Sequence, residues 1–365
     1  MEASSGYRRR PKVGHKKSRN GCKKCKSRRV KVCSLPPISA DAPDDSQIPE
    51  TRERRMMEHR LMQHYIFTMG RPTSVSPSEN WSELFSRHIP SLALQYDNLF
   101  YSLLTMSATN LLRTEPNNNE LFKARQTYLI AAVRAQREMV GRLNPTLADP
   151  VCLSSVLLLL HSFAVLSERS LHPYTPPVEW LEMGKGVGQV MWLSLRAVPS
   201  EVEPRPHFTL IAANSYPKFE DRSYFDPSMR KDFENILTRG VPSDDDWDDH
   251  DTREAYEHAL SYVGSIQRAI TSGEPVYAVY RRIQTFAVLV PSKFIQLLAE
   301  QRPRALVILA HFFGTVAQVQ GVWWLGNEDE QREKMATREI RAICETLPAA
   351  WQGMMIWPKD KAGIR

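Results

Sequence analysis

Apolar residues recur at helical spacing from about residue 51 to near the end of the chain. Met57, Leu61, Tyr65 and Met69 stand four apart, the separation at which side chains stack on one helix face. Gly70 and Pro72 follow, a glycine suited to a left-handed cap and a proline that bars continuation. Phe100, Leu103, Leu104 and Leu111 predict a second helix capped by Asp97. Leu121, Ala124, Tyr128, Ala131, Ala135 and Met139 predict a third, closed by Gly141. Asp149-Pro150 predicts the start of a fourth, an N-cap followed by proline at the first helical position. That helix, Val151 to Leu166, is apolar on nearly every side, as the central helix of a bundle would be. With about 16 residues, broken by Ser154, Ser155, His161 and Ser162, it is too short and too polar for a membrane span. Further helices are predicted over 177–195, 228–239, 251–272, 275–288, 291–300, 303–320 and 328–346. No strand-rich region and no internal repeat is evident. The expectation is an all-α domain over residues 51–358, built as packed helical layers, with 359–365 a tail.

The N-terminal part follows a different pattern. Residues 1–15 are polar and predicted to be a disordered basic arm. Residues 34–50 hold Pro36, Pro37, Pro43 and Pro49 among Asp41, Asp44 and Asp45, a linker composition. Residues 16–33 form a basic cysteine module between them. The net charge of +7 conceals this division. Residues 8–31 carry thirteen basic side chains and no acid; without them 35 basic face 41 acidic residues, so the body is acidic. A polyanion would be met by the arm alone. Five cysteines, three of them clustered, argue for a reducing compartment and a metal site over a disulfide framework. The opening Met1-Glu-Ala-Ser-Ser-Gly-Tyr-Arg lacks the apolar core of a signal peptide.

Within the module, Cys22-Lys-Lys-Cys25-Lys-Ser-Arg-Arg-Val-Lys31 places two thiols three positions apart, close enough to reach one metal ion from one turn. Cations between and after the thiols are unfavourable near a metal, so they point to a polyanionic partner, nucleic acid first. This stretch resembles the opening half of the fungal binuclear zinc cluster, the DNA-binding module of a class of fungal transcription factors. Lys16-Lys17-Ser18-Arg19-Asn20-Gly21 resembles that family's lead-in. The resemblance implies six cysteines holding two Zn2+ ions. Here Cys22, Cys25 and Cys33 are the candidate ligands, the third one place beyond the family's position at Val32, and no second half-cluster follows. Three thiols cannot hold two zincs. They suffice for one ion completed by water, a histidine or a second chain, and His15 is the histidine nearby. The break is consistent with a segment lost between Lys31 and Ser34. The resemblance also implies a short helix in the major groove of double-stranded DNA. Lys24, Lys26, Ser27 and Arg28 are the candidates there, with Lys23, Arg29 and Lys31 for phosphates.

A second resemblance covers about residues 55–358. Met57 to Tyr65 looks like the first helix of the fungal transcription-factor regulatory domain. Arg302 to Phe312, Trp323-Trp324-Leu325, Leu347-Pro348, Trp351 and Trp357-Pro358 look like its closing segment, in the manner of the sterol uptake control proteins. It implies a helical regulatory domain, with an apolar ligand such as a sterol in some relatives. His311, Phe312, Trp323 and Trp324 are the candidate pocket wall.

Other motifs resolve to simpler readings. Gly184-Lys-Gly-Val-Gly188 lacks the first glycine and the Ser or Thr of a phosphate loop, and small residues for close helix packing explain it. Asp244 to Asp251 lacks the glycine and glutamate of a calcium loop, leaving a solvated stretch and acid at the start of the next helix; an acidic contact including Trp247 to the transcription machinery is a lesser option. His161 reads as a hydrogen-bonded core histidine, and Cys152 and Cys344 as buried thiols. No nucleophile elbow, zincin helix or dinucleotide fingerprint appears, so an enzyme has no positive support. The expected function is a nuclear, zinc-dependent, DNA-binding regulator of RNA polymerase II genes with a ligand- or partner-responsive helical domain and no membrane association. The alternative is a helical binding protein that has lost DNA binding through truncation of the cluster.

Overall fold

The structure is a computed structural model describing residues 50–71, 78–199, 205–213, 222–238, 249–326 and 333–364. The chain divides into two units, residues 1–51 and 52–365. The basic cysteine module, most of the linker, Pro72, and Asp244 to Asp248 with Trp247 lie outside the described residues. The second unit is all-α, and no strand occurs among the described residues.

The helices are α1 (Arg52–His64), α2 (Glu79–Glu83), α3 (Ile89–Ala93), α4 (Asp97–Thr114), α5 (Asn119–Val140), α6 (Ala148–Ala164), α7 (Val178–Ala197), α8 (Phe208–Ala213), α9 (Asn235–Thr238), α10 (His250–Thr271), α11 (Val276–Leu289), α12 (Ser292–Ala299), α13 (Pro303–Val316), α14 (Met335–Thr346) and α15 (Ile356–Lys361). In one half, α4 packs on α5 and α6, with α1 against α4. α6 then packs on α7, and α7 on α11. In the other half, α10 and α13 pack together and carry α14 and α15. α15 extends past the boundary at residue 358 expected from the sequence.

The helix expected to be central is central: Val151 to Leu159, His161 and Phe163 of α6 are all buried. With its flanking turns the helical run Pro145–Glu168 is 24 residues, long and apolar enough to cross a membrane, contrary to the length argument above. Its burial among other helices, and not its length, marks it as a core helix. Its serines and its histidine are absorbed by a polar ladder. Asn98 donates to Gln136 Oε1 at 2.7 Å and to the Pro150 carbonyl at 3.0 Å. Gln136 donates to the Val151 carbonyl and to Ser155. Ser102 meets Ser154 at 2.8 Å, and Thr109 meets His161 Nδ1 at 2.8 Å. The inward stripe of α5 is Leu121, Arg125, Tyr128, Ala132 and Gln136, rotated from the predicted one because Arg125 and Gln136 have partners inside. Arg125 pairs with both oxygens of Glu168 at 2.6 Å.

Several local expectations change. Gly70 has φ −78°, so it is no left-handed cap; the chain instead widens into a π-turn over Tyr65–Met69, and Gly70 N–H donates to the Tyr65 carbonyl at 2.8 Å. Asp97 opens α4 without capping it. Asp149 does not cap its own helix, which follows a 3-10 turn capped by Asn144. Its carboxylate accepts from the N–H groups of His207 and Phe208, at 3.0 and 2.7 Å, and so caps α8 from a distance in sequence. The helix predicted over 228–239 is a 3-10 turn, Pro227–Phe233, followed by the short α9. That turn lies so close on α10 that a Cβ at Gly264 would meet the Met229 carbonyl oxygen at 2.0 Å. Helix α13 stops at Val316, and α14 starts at Met335. Cys152 is buried, whereas Cys344 is half-buried and donates to Gln352 at 2.9 Å.

The glycines of α7 serve packing. A Cβ on Gly184 would stand 2.5 Å from the Ala287 backbone of α11, and one on Gly188 would stand 2.8 Å from the Val288 side chain. Lys185 donates to the carbonyls of Val288 and Val290 at the end of α11. Gly186 faces outward, with nothing within 4 Å. Gly184→Ala is therefore expected to lower stability by about 1–3 kcal/mol. Gly186→Ala is expected to raise it by about 0.5–1 kcal/mol. Urea unfolding of the pair gives the sign of each.

Candidate functional site

The four aromatic-segment candidates separate into two groups. His311 and Phe312 belong to the interior of the C-terminal half. His311 is 3% exposed, bonds the Val307 carbonyl through Nδ1 at 2.8 Å and stacks on Trp357 with ring centroids 5.2 Å apart. Phe312 stacks on Phe286 at 4.2 Å and on Trp180 at 5.6 Å. Trp323 and Trp324 instead sit on a 3-10 turn ended by Gly326, whose φ of +70° is left-handed. Both tryptophans line a cavity of about 160 Å³. Trp324 meets Phe163 and Tyr280 edge-on, at 5.6 and 6.1 Å.

The rest of that cavity comes from segments far away in sequence. The π-turn after α1 supplies Tyr65 and Met69, α2 and the turn after it supply Trp81 and Phe85, α6 supplies Val156 and Leu157, and α11 supplies Arg281 and Gln284. The π-turn matters because it swings Tyr65 inward to 2% exposure while Ile66 and Phe67 stay exposed. Arg281 is 5% exposed and lies 4.9 Å from the centre of the Trp81 ring. It donates to Gln284 Oε1 at 2.9 Å and to the Ile211 carbonyl at 3.2 Å. Burial pulls its pKa down to about 10. Trp81, Phe85 and Arg281 escaped the sequence reading, and Tyr65 entered it only as a helix-face residue. The available signal was a charged residue on the buried face of α11, between Tyr280 and Ile283. A second cavity, of about 250 Å³, shares Trp323 and includes Arg113, Phe122 and Glu168. Trp323 therefore forms part of the wall of both.

His161 and His311 are buried, hydrogen-bonded members of the core. Burial pushes His161 and His311 down to about 4 from 6.5. No group of three or more His, Cys, Asp or Glu residues suited to a metal occurs among the described residues. Cys22, Cys25 and Cys33, with Lys23, Lys24, Lys26, Ser27, Arg28, Arg29 and Lys31, lie outside them.

Residues 60–174 match the fungal specific transcription factor domain. The chain is similar to a Zn(2)-C6 fungal-type transcription factor, afumD, of Aspergillus fumigatus, 27% identical over 84% of this chain and 87% of the relative. It is also similar to a Zn(2)-C6 fungal-type transcription factor of Gibberella zeae, 25% identical over 83% of this chain and 61% of the relative. A shorter likeness, 27% identical over 37% of this chain, joins it to sterol uptake control protein 2 of Saccharomyces cerevisiae, of which it covers 15%. The resemblance read in the sequence is borne out: the likeness is to Zn(2)-C6 fungal-type transcription factors and to sterol uptake control proteins, and the transcription-factor relatives point to a regulator and not an enzyme.

Tyr65→Phe removes a buried hydroxyl that has no hydrogen-bond partner. The variant is expected to match the wild type or exceed it by about 1 kcal/mol in urea unfolding, and a clear loss would show a partner for the hydroxyl. The two histidines also fix a pH dependence. Their folded pKa lies below the unfolded value, so the stability they contribute is complete above about pH 6.5 and falls as pH drops toward about 4. The expected slope is about 1.4 kcal/mol per pH unit per histidine, and His161→Asn should remove about half of it. Urea midpoints followed across that window measure both.

Proposed function

We propose that this protein is a nuclear transcription regulator of RNA polymerase II genes, with a DNA-binding arm and a ligand-responsive helical domain. The match of residues 60–174 to the fungal transcription factor domain, joined to a basic Cys-x-x-Cys module in the same chain, carries this reading. The two Zn(2)-C6 fungal-type relatives suggest the zinc-cluster type. In this chain the donor set does not fit a two-zinc cluster, which needs six thiolates; Cys22, Cys25 and Cys33 would be three ligands of a single Zn2+. Bound zinc would supply rigidity to the turn, as in other small zinc modules. Lys24, Lys26, Ser27 and Arg28 would face the groove, and Lys23, Arg29 and Lys31 the phosphates. The helical domain would then respond to a small apolar ligand, such as a sterol, or to the transcription machinery.

The incomplete thiol set also favours a second reading, a helical binding protein that no longer holds DNA and acts as a decoy. Metal analysis and duplex binding separate the two. The first reading expects bound zinc that is lost in Cys22→Ser. It also expects duplex binding whose log affinity falls with log salt by about 0.9 per phosphate contact, flattened by about one contact in Arg29→Ala. A zinc-free protein indifferent to duplexes would leave only the second.

A further inference from the structure

Two buried hydrogen-bond donors on the wall of the Trp81–Trp323 cavity have no acceptor. The Tyr65 hydroxyl is one, and Arg281 Nε is the other. Both atoms are fully buried beside the cavity, so an acceptor inside it meets them through a small rotation of the two side chains. Arg281 also lacks a counter-charge. Its electrostatic neighbours among the described residues are the phenols of Tyr262 and Tyr280, and no carboxylate is among them. Three other buried or half-buried arginines show such a counter-charge, while Arg304 is met by the carbonyls of Ile236 and Leu237. Arg125 is matched by Glu168, Arg169 by Glu339, and Arg230 by Glu234 and Glu257. A guanidinium stays charged in a protein and is costly to bury unpaired.

The remaining wall is mostly apolar and rich in aromatic rings, with Arg71, Ser82 and Gln284 as its other polar members. Trp81, Phe85, Met106, Leu157 and Trp323 surround the cavity, with Arg281 held against the Trp81 face. Pockets of this composition, mostly apolar with a few convergent polar groups, suit small molecules whose polar end is fixed by those groups. Here both unmatched groups can donate and one is a cation that can only donate, so the matching end of a ligand is an acceptor and an anion. A carboxylate meets both demands and fits a guanidinium in geometry.

We propose that this cavity binds a small molecule with a flat apolar body and one carboxylate, which accepts from Arg281 and from the Tyr65 hydroxyl. The proposal deepens the reading of the helical domain as ligand-responsive and rests on that reading for its regulatory meaning. A neutral sterol would leave Arg281 without its counter-charge.

The test uses the full-length chain and tryptophan fluorescence, since Trp81, Trp323 and Trp324 line the site. The probes are 2-naphthoate, biphenyl-4-carboxylate and dodecanoate, each beside its methyl ester, together with ergosterol. The expected result is saturable binding of at least one acid, about tenfold or more tighter than its ester. Arg281→Met and Tyr65→Phe should each weaken the acid by about tenfold and leave the ester unchanged. Tyr65→Phe removes a single oxygen and keeps the comparison valid should Arg281→Met fail to fold. Equal binding of acids and esters, absence of binding by all three acids, or acid affinity unmoved by Tyr65→Phe overturns the proposal. Binding of ergosterol in preference to every acid overturns it in favour of a neutral lipid. A reporter gene separates site from regulation. Acid binding with no change in expression retains the site and removes the regulatory reading. A reporter that answers ergosterol without acid binding does the reverse.

Discussion

The helical domain is organised by one helix that cannot be allowed to face water. Helix α6 is apolar around nearly its whole circumference, so α4, α5 and α7 must enclose it. Apolar burial alone would leave its register free to slide. The ladder of Asn98, Gln136, Ser102, Ser154, Thr109 and His161 removes that freedom, because each rung is buried and a slip would strand its donors and acceptors. A buried polar group left without a partner costs about 1–3 kcal/mol, so a shift of one turn would sacrifice several such bonds together. Aromatic stacking takes over where the two halves meet: Trp180, Phe286 and Phe312 form a stack that ties α7, α11 and α13 together.

Helical class, the central position of α6 and most later helices were legible because they rest on apolar spacing, which acts locally. The rotation of α5 was not, since an arginine and a glutamine point inward only when Glu168, Asn98 and Ser155 lie opposite, and these are tertiary facts. Asp149 shows the same limit: its Asp-Pro context reads as a local cap, yet its carboxylate serves backbone N–H groups near residue 207. The cavity was half legible. The Trp323-Trp324 pair stands out in the sequence, but its opposite wall is assembled from a π-turn and a short helix, neither of which leaves a periodic signature.

The cavity and the core differ in the kind of polarity left open. Around α6 the side-chain bonds form a connected network, with the neutral Asn98 Oδ1 left without a partner. At the Trp81–Trp323 cavity a cation and a phenol remain unmatched amid aromatic rings. Proteins tend to retain such imbalance where something else is meant to correct it. The histidines of the core show the opposite case: neutral and bonded, they are set for packing and not for proton exchange at ordinary pH.

The pair between Arg169 and Glu339 joins positions 170 residues apart. Glu339 is wholly enclosed, held by the guanidinium at 2.6 and 2.7 Å and by the Tyr174 hydroxyl at 3.3 Å, while neighbouring Arg338 clasps the carbonyls of Ser167 and Arg169. The last helices thus close the domain as a keystone closes an arch. A product shortened before α14 would leave the segment after α6 with a stranded charge and several unclaimed carbonyls, so the helical domain cannot be trimmed from its far end and still stand.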